Sequence, residues 1–143
     1  IAVDEFVSHD TYDFINNLNK YTGKQIVVYP DASGRSGSTN ATLSDIGLIE
    51  QAGYQVDAPA ANPAVRDRIN AFNALLSHNR ILINTDKCPN LTHAMETQGY
   101  TVKGDPEKYN QHPAIDDWLD ASGYFINRKY PVLKPAMNLG IRF

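Results

Sequence analysis

Apolar positions along this chain follow two alternating spacings. Short runs bounded by turn-forming residues predict strands over residues 1–7, 25–29 (Ile26-Val27-Val28-Tyr29), 54–56 and 80–84 (Ile81-Leu82-Ile83). Between them the spacing turns helical. Tyr12, Phe14, Ile15, Leu18 and Tyr21 mark one face from a capping Asp10 to a stop at Gly23, and Leu43, Ile46 and Ile49 mark another that ends at Gly53. Asn62-Pro63 reads as a cap followed by a first-turn proline, opening a helix with Val65, Ile69, Phe72, Leu75 and Leu76 on its apolar side and Arg66, Arg68 and Asn70 on other faces. Further helices are expected over 90–98 and 114–128. Strand, helix, strand, helix, strand in the first half predicts an α/β fold with parallel pairing. The opening segment reads as a strand with no leader before it, so the chain has the look of a fragment.

At 143 residues and 42% hydrophobic, the sequence fits a single domain over 1–143 with one core. Residues 103–113 read as a polar loop, and Pro131 and Pro135 make 131–143 an extended basic tail. No apolar run approaches a bilayer span and no signal peptide is recognisable, so no membrane is expected and the chain reads as soluble and intracellular. Cys88, the single cysteine, excludes an intrachain disulfide and a thiolate zinc cage. A net charge of −3 argues against nonspecific coating of nucleic acid, but the charge is uneven. Residues 1–60 hold eight acids against Lys20, Lys24 and Arg35, whereas 121–143 hold Arg128, Lys129, Lys134 and Arg142 and no acid. Such a basic end could steer a phosphate backbone, although solvated surface charge explains each residue singly.

The candidate chemistry lies in carboxylates. Asp31 stands where the apolar run 26–29 meets Pro30 and a glycine-rich stretch, which is how a rigid strand presents an oxygen ligand; an Asx-turn is the structural alternative. Asp116 and Asp120 are four apart on the last predicted helix and project from one face, where two like charges cost a few tenths of a kcal/mol unless something positive compensates them. A hard divalent cation would serve. For Asp116 and Asp117 a solvated acidic first turn is the simpler reading, whereas Asp120 interrupts the apolar neighbours Trp118, Leu119 and Ala121. The loop after Asp31 lacks the Walker order, which leaves a plain flexible connection as the default, beside a mobile lid or a phosphate contact through Arg35 and backbone N–H groups. The histidines have no zinc spacing, though His112 stands close enough to the acidic helix to reach a phosphate or a water. Serine hydrolysis has no supporting motif.

Three stretches give the chain a family likeness: Ile26 through Gly34 with Ser38-Thr39-Asn40 and Asp45; Asn62-Pro63-Ala64-Val65-Arg66-Asp67-Arg68-Ile69-Asn70-Ala71 with Arg80-Ile81-Leu82-Ile83; and His112-Pro113-Ala114-Ile115-Asp116-Asp117-Trp118-Leu119-Asp120 through Tyr124, ending in Tyr130-Pro131. In this order they resemble the C-terminal nuclease domain of the large terminase subunit of tailed bacteriophages. The resemblance implies an RNase H-like mixed sheet flanked by helices, with the first strands and their aspartate lying upstream of Ile1, and a metal-dependent endonuclease that cuts concatemeric viral double-stranded DNA during genome packaging. Asp31 matches the fourth-strand acid and Asp120 the late-helix acid, with Asp116 and Asp117 where another ligand often stands. Two Mg2+ or Mn2+ ions about 3.5 to 4 Å apart would be held there. Arg35, Arg66, Arg68, Arg128, Lys129 and His112 are the expected DNA contacts. The implied partners are a motor ATPase domain, a small terminase subunit and a portal, and the implied setting is the cytoplasm of a bacterial host, with the gene carried by a phage or prophage. Two alternatives stand beside it: a catalytically incomplete DNA-binding or prophage-remnant module, and a carboxylate-based sugar hydrolase, which would need two acids flanking a neutral cleft.

Overall fold

Asp10 begins the first helix as its spacing suggests: its carboxylate accepts the Asp13 N–H at 2.8 Å, while Asp13 reaches back to the His9 N–H at 3.0 Å. This reciprocal pairing satisfies donors that a helix start leaves open. The computed structural model of the chain describes residues 1–21, 23–36, 43–108 and 114–132. Helix α1 (Thr11–Leu18) closes through a 3-10 turn, Asn19–Tyr21, before Gly23 takes a left-handed φ of 81°. Strand β1 (Val27–Val28) follows, then α2 (Asp45–Gln51), capped by Ser44, then β2 (Gln55–Val56). β1 and β2 pair in parallel, Val27 with Gln55 and Val28 with Val56, with α2 as the crossover.

The second half is helical. Helices α3 (Val65–Ser77), α4 (Pro89–Thr97) and α5 (Ile115–Lys129) pack together, α5 lying against both of the others. Ala71, Phe72 and Ile126 form the core of this packing, and Leu75, Ile81 and Met95 extend it. None of the helices among the described residues is long and apolar enough to cross a membrane.

The α/β class agrees with this architecture, but the sheet is smaller than expected. The strands anticipated over 1–7 and 80–84 reduce to one parallel bridge, Ala2 to Ile83, in which the Ala2 N–H donates to Leu82 and the Asn84 N–H to Ala2. The following residues are occupied elsewhere. Asp4 accepts from the Tyr21 hydroxyl at 2.5 Å, and Glu5 takes the backbone N–H groups of Asn90 and Leu91 at 2.7 and 2.9 Å, capping α4 from a distant part of the chain. Within 103–113, Pro106 forms an antiparallel bridge with Tyr100, and 109–113 lie outside the described residues, as does the tail beyond 132.

The start of α3 is also different. Ala64, not Asn62, is the N-cap, and it provides no side-chain bond. Asn62 turns instead toward Asp31 and Ala32, which places it in the site described next.

Candidate active site

Strand β1 delivers Asp31 through Tyr29 and Pro30 to the rim of an open cleft of about 820 Å³. One wall of the cleft is β1 and the turn after it; α1 and α2 bring Asp10 and Asp45, and α5 brings Asp117, Asp120 and Tyr124. The turn after Asp31 is a 3-10 turn, Ala32–Arg35, and Asp31 caps it by accepting the Ser33 N–H at 2.6 Å. The same oxygen, Oδ1, accepts from Asn62 Nδ2 at 2.6 Å, while Asn62 Oδ1 takes the Ala32 N–H at 2.8 Å. Asp31 Oδ2 accepts from the Tyr124 hydroxyl at 2.9 Å. The Asx-turn and the presentation of an acid to the cleft therefore coexist in one residue.

These donors fix the charge state of Asp31. Burial pushes its carboxyl upward, but the bonds from Ser33, Asn62 and Tyr124 together outweigh it and hold the group at about 2. The reciprocal effect falls on Tyr124, whose phenol is pushed up to about 12 by burial and by its bond to Asp31, with the nearby Arg68 charge opposing. At neutral pH the pair is a carboxylate and a neutral phenol.

Asp120 lies one turn before Tyr124 on α5 and is about a third exposed. Arg68 grips it from α3, with Nη1 to Oδ1 at 2.8 Å and Nη2 to Oδ2 at 3.3 Å, and the guanidinium lies over the Tyr124 ring at 4.6 Å. Arg68 is thus buried on the inward side of α3, not on an outer face, and Gly123 of α5 packs against its stem. The sequence placed Arg68 on a face away from the apolar side of this helix; the structure buries it against Asp120.

The remaining expected residues divide between two places. Asp117 lines the cleft and uses one oxygen to accept the Ala114 N–H at 2.9 Å at the start of α5. Asp116 is 5% exposed and paired with Lys108; it lines a separate cavity of about 230 Å³ between α3, α4 and α5. The solvated first turn expected of Asp116 is therefore replaced by a buried carboxylate paired with an exposed lysine, and the bond to Asp116 holds the Lys108 ammonium protonated above its usual range. Asp120 borders both cavities, so Asp116 shares a helix flank with it but not the cleft of Asp31. Arg66 is exposed. Arg35 donates to the Ala58 carbonyl at 2.8 Å, Arg128 pairs with Asp57 at 2.7 Å, and the Lys129 ammonium lies 5.3 Å from the Tyr29 ring centre. His112 is outside the described residues.

Sequence reasoning missed Asn62 and Tyr124 as partners of Asp31, and Asp10 and Asp45 as cleft acids. The signal for Tyr124 was available, since it falls one helical turn after Asp120 and hence on the same face. Asn62 was hidden by its position before proline, where a cap is the ordinary role.

Among the described residues, no group of three or more His, Cys, Asp and Glu side chains is placed to hold a metal ion. The chemistry of the donor set nevertheless suits a hard cation, because Asp31, Asp117 and Asp120 line one cleft, and Asp31 Oδ2 and the two Asp120 oxygens each have a lone pair beyond the one contact they make to Tyr124 or Arg68.

A helix-flanked parallel pair, with carboxylates from a strand exit and a late helix lining one cleft, defines an α/β domain. The profile of the terminase RNase H-like domain family matches residues 14–129, and the chain belongs to that family. No curated protein and no solved structure matches the chain.

Proposed function

We propose that this domain is the nuclease of a DNA-packaging terminase, a metal-dependent endonuclease that cuts concatemeric viral double-stranded DNA. The observation that carries the reading is that Asp31 and Asp120 line one cleft, linked through Tyr124, which bonds Asp31, and Arg68, which lies over Tyr124 and pairs with Asp120, in a chain of the terminase RNase H-like family. Asp31 and Asp120 would hold Mg2+ or Mn2+, with Asp117 within the same cleft as a further oxygen donor. When bound, a pair of such ions supplies an activated water and neutralises charge on the leaving oxygen. The chain's own contribution is to keep Asp31 ionised through three donors and to hold Asp120 toward the cleft. Duplex attraction falls to Arg35, Arg66, Arg128 and Lys129, together with His112. The partners that follow are the motor ATPase, a small terminase subunit and the portal, in the cytoplasm of a bacterial host.

The test is manganese-dependent nicking of supercoiled duplex DNA by the protein as its gene encodes it. Asp31→Asn and Asp120→Asn should each abolish nicking while duplex binding survives, because each keeps the side-chain shape and removes the charge a hard cation needs. Undiminished nicking by both variants refutes the assignment. A wild type that binds duplex DNA without metal-stimulated cleavage makes the domain a noncatalytic DNA-binding module.

A further inference from the structure

The position of Arg68 bears on how the site takes up a cation. It is 7% exposed, and its terminal nitrogens face both oxygens of Asp120, whose side chain is 36% exposed on the cleft. The guanidinium plane rests on the Tyr124 ring, and the stem passes Gly123, where a Cβ would stand 3.7 Å from Arg68 Cβ. Its Nε has no acceptor among the described residues and Nη1 meets Asp120 as an ion-pair contact without hydrogen-bond geometry, so the group is held by its Asp120 edge and its aromatic platform and not by a wider network.

A fork-shaped donor set of this kind matches a carboxylate in two-point fashion and carries a permanent charge. A divalent cation approaching Asp120 from the cleft meets that charge across a partly buried space, where Coulomb interactions are far less screened than in water. On the nuclease reading above, we propose that Arg68 is a resident counter-ion: it occupies Asp120 in the cation-free protein and competes with the divalent cation for the same carboxylate. It is a positioning residue, not a catalytic one. The pairing keeps Asp120 aimed at the cleft without a metal, and it weakens cation binding until other negative charge enters. A duplex phosphate in the cleft supplies that charge, so cation and DNA bind with positive coupling.

The experiment is titration of the 143-residue chain with Mn2+, following free Mn2+ by electron paramagnetic resonance, for the wild type, Arg68→Gln, Asp120→Asn and the double variant. Arg68→Gln should bind Mn2+ about tenfold or more tightly than wild type, as loss of a nearby like charge in a partly buried site requires, and the double variant should lose the gain. Asp120-dependent Mn2+ binding by the wild type that is unchanged or weaker in Arg68→Gln overturns the counter-ion role while leaving the nuclease reading intact. No Asp120-dependent binding in any of the proteins sinks both. Should Arg68→Gln fail to fold, the Nε–H resonance of Arg68 in the wild type gives the answer: it should shift as Mg2+ saturates the site, and an unmoved resonance with Mg2+ bound overturns the proposal.

Discussion

The Tyr124 hydroxyl donates to Asp31 at 2.9 Å, linking the late helix to the strand exit across 93 residues of sequence. The bond joins the two walls of the cleft, so its removal has a defined signature. Tyr124→Phe should destabilise the fold by about 1.5 to 3 kcal/mol, the usual range for a hydrogen bond to a charged group. It should also let the Asp31 carboxyl rise from about 2 toward its ordinary 3.8. Denaturant unfolding and a carbon-13 carboxyl titration check the two parts. An unchanged Asp31 titration would mean that the phenol does not touch it in solution.

The same pair bounds the stable pH range. Asp31 titrates lower in the folded chain than its ordinary value of 3.8, so the stability it contributes is present above about 3.8 and is lost as pH falls through about 2. Tyr124 titrates higher, at about 12 against 10.0, so its contribution is present below about 10 and is lost as pH rises through about 12. Unfolding free energy followed against pH should fall on both flanks, and in Tyr124→Phe the alkaline loss attributable to this group should vanish.

Asn62 separates two roles that the sequence leaves indistinguishable. At a helix N-cap, Asn and Asp are nearly equivalent, so Asn62→Asp would be almost neutral there. In the observed place its amide donates to Asp31 at 2.6 Å, and an aspartate would set two carboxylates against each other. Asn62→Asp should therefore be more destabilising at pH 7 than Asn62→Ala, and the difference should shrink on acidification. Equal melting temperatures for Asn62→Asp and wild type would restore the capping role.

Gly123 lies inside α5, and a Cβ there would meet Arg68 only at ordinary contact distances, 3.7 and 3.8 Å. Gly123→Ala should consequently stabilise the chain by roughly 0.5 to 1 kcal/mol through helix propensity, without displacing Arg68. A loss of stability would show that the stem of Arg68 has no room to spare.

Local signals in the sequence carried the helices well. Asp10, Gly23 and Gly53 act through residues within one turn, and α1 and α2 start or stop beside such signals. The strands at 1–7 and 80–84 were less legible because a strand exists only where a partner is available. Asp4, Glu5, Ser8 and His9 bond to side chains and helix ends, which no apolar period reports. For the site, Asp31 and Asp120 could be singled out by acids interrupting apolar runs, and both border the cleft. Arg68 could not be placed, since one helix face of an isolated sequence does not reveal which acid lies across from it. Asp116 was misjudged for the same reason: its compensating charge, Lys108, stands on another segment.

Glu5 has a consequence for the order in which the chain assembles. Its carboxylate closes the first turn of α4 from 85 residues away, whereas most helix starts find their partner within the same turn. That closure carries the loop entropy of a long intervening segment and becomes favourable only after the helices it joins have met. The opening stretch is then a late latch rather than a nucleus. Glu5→Ala should cost about 1 kcal/mol, as loss of a cap does, and should appear as faster unfolding with little change in the folding rate. Stopped-flow chevrons of the two proteins would separate along the unfolding arm alone.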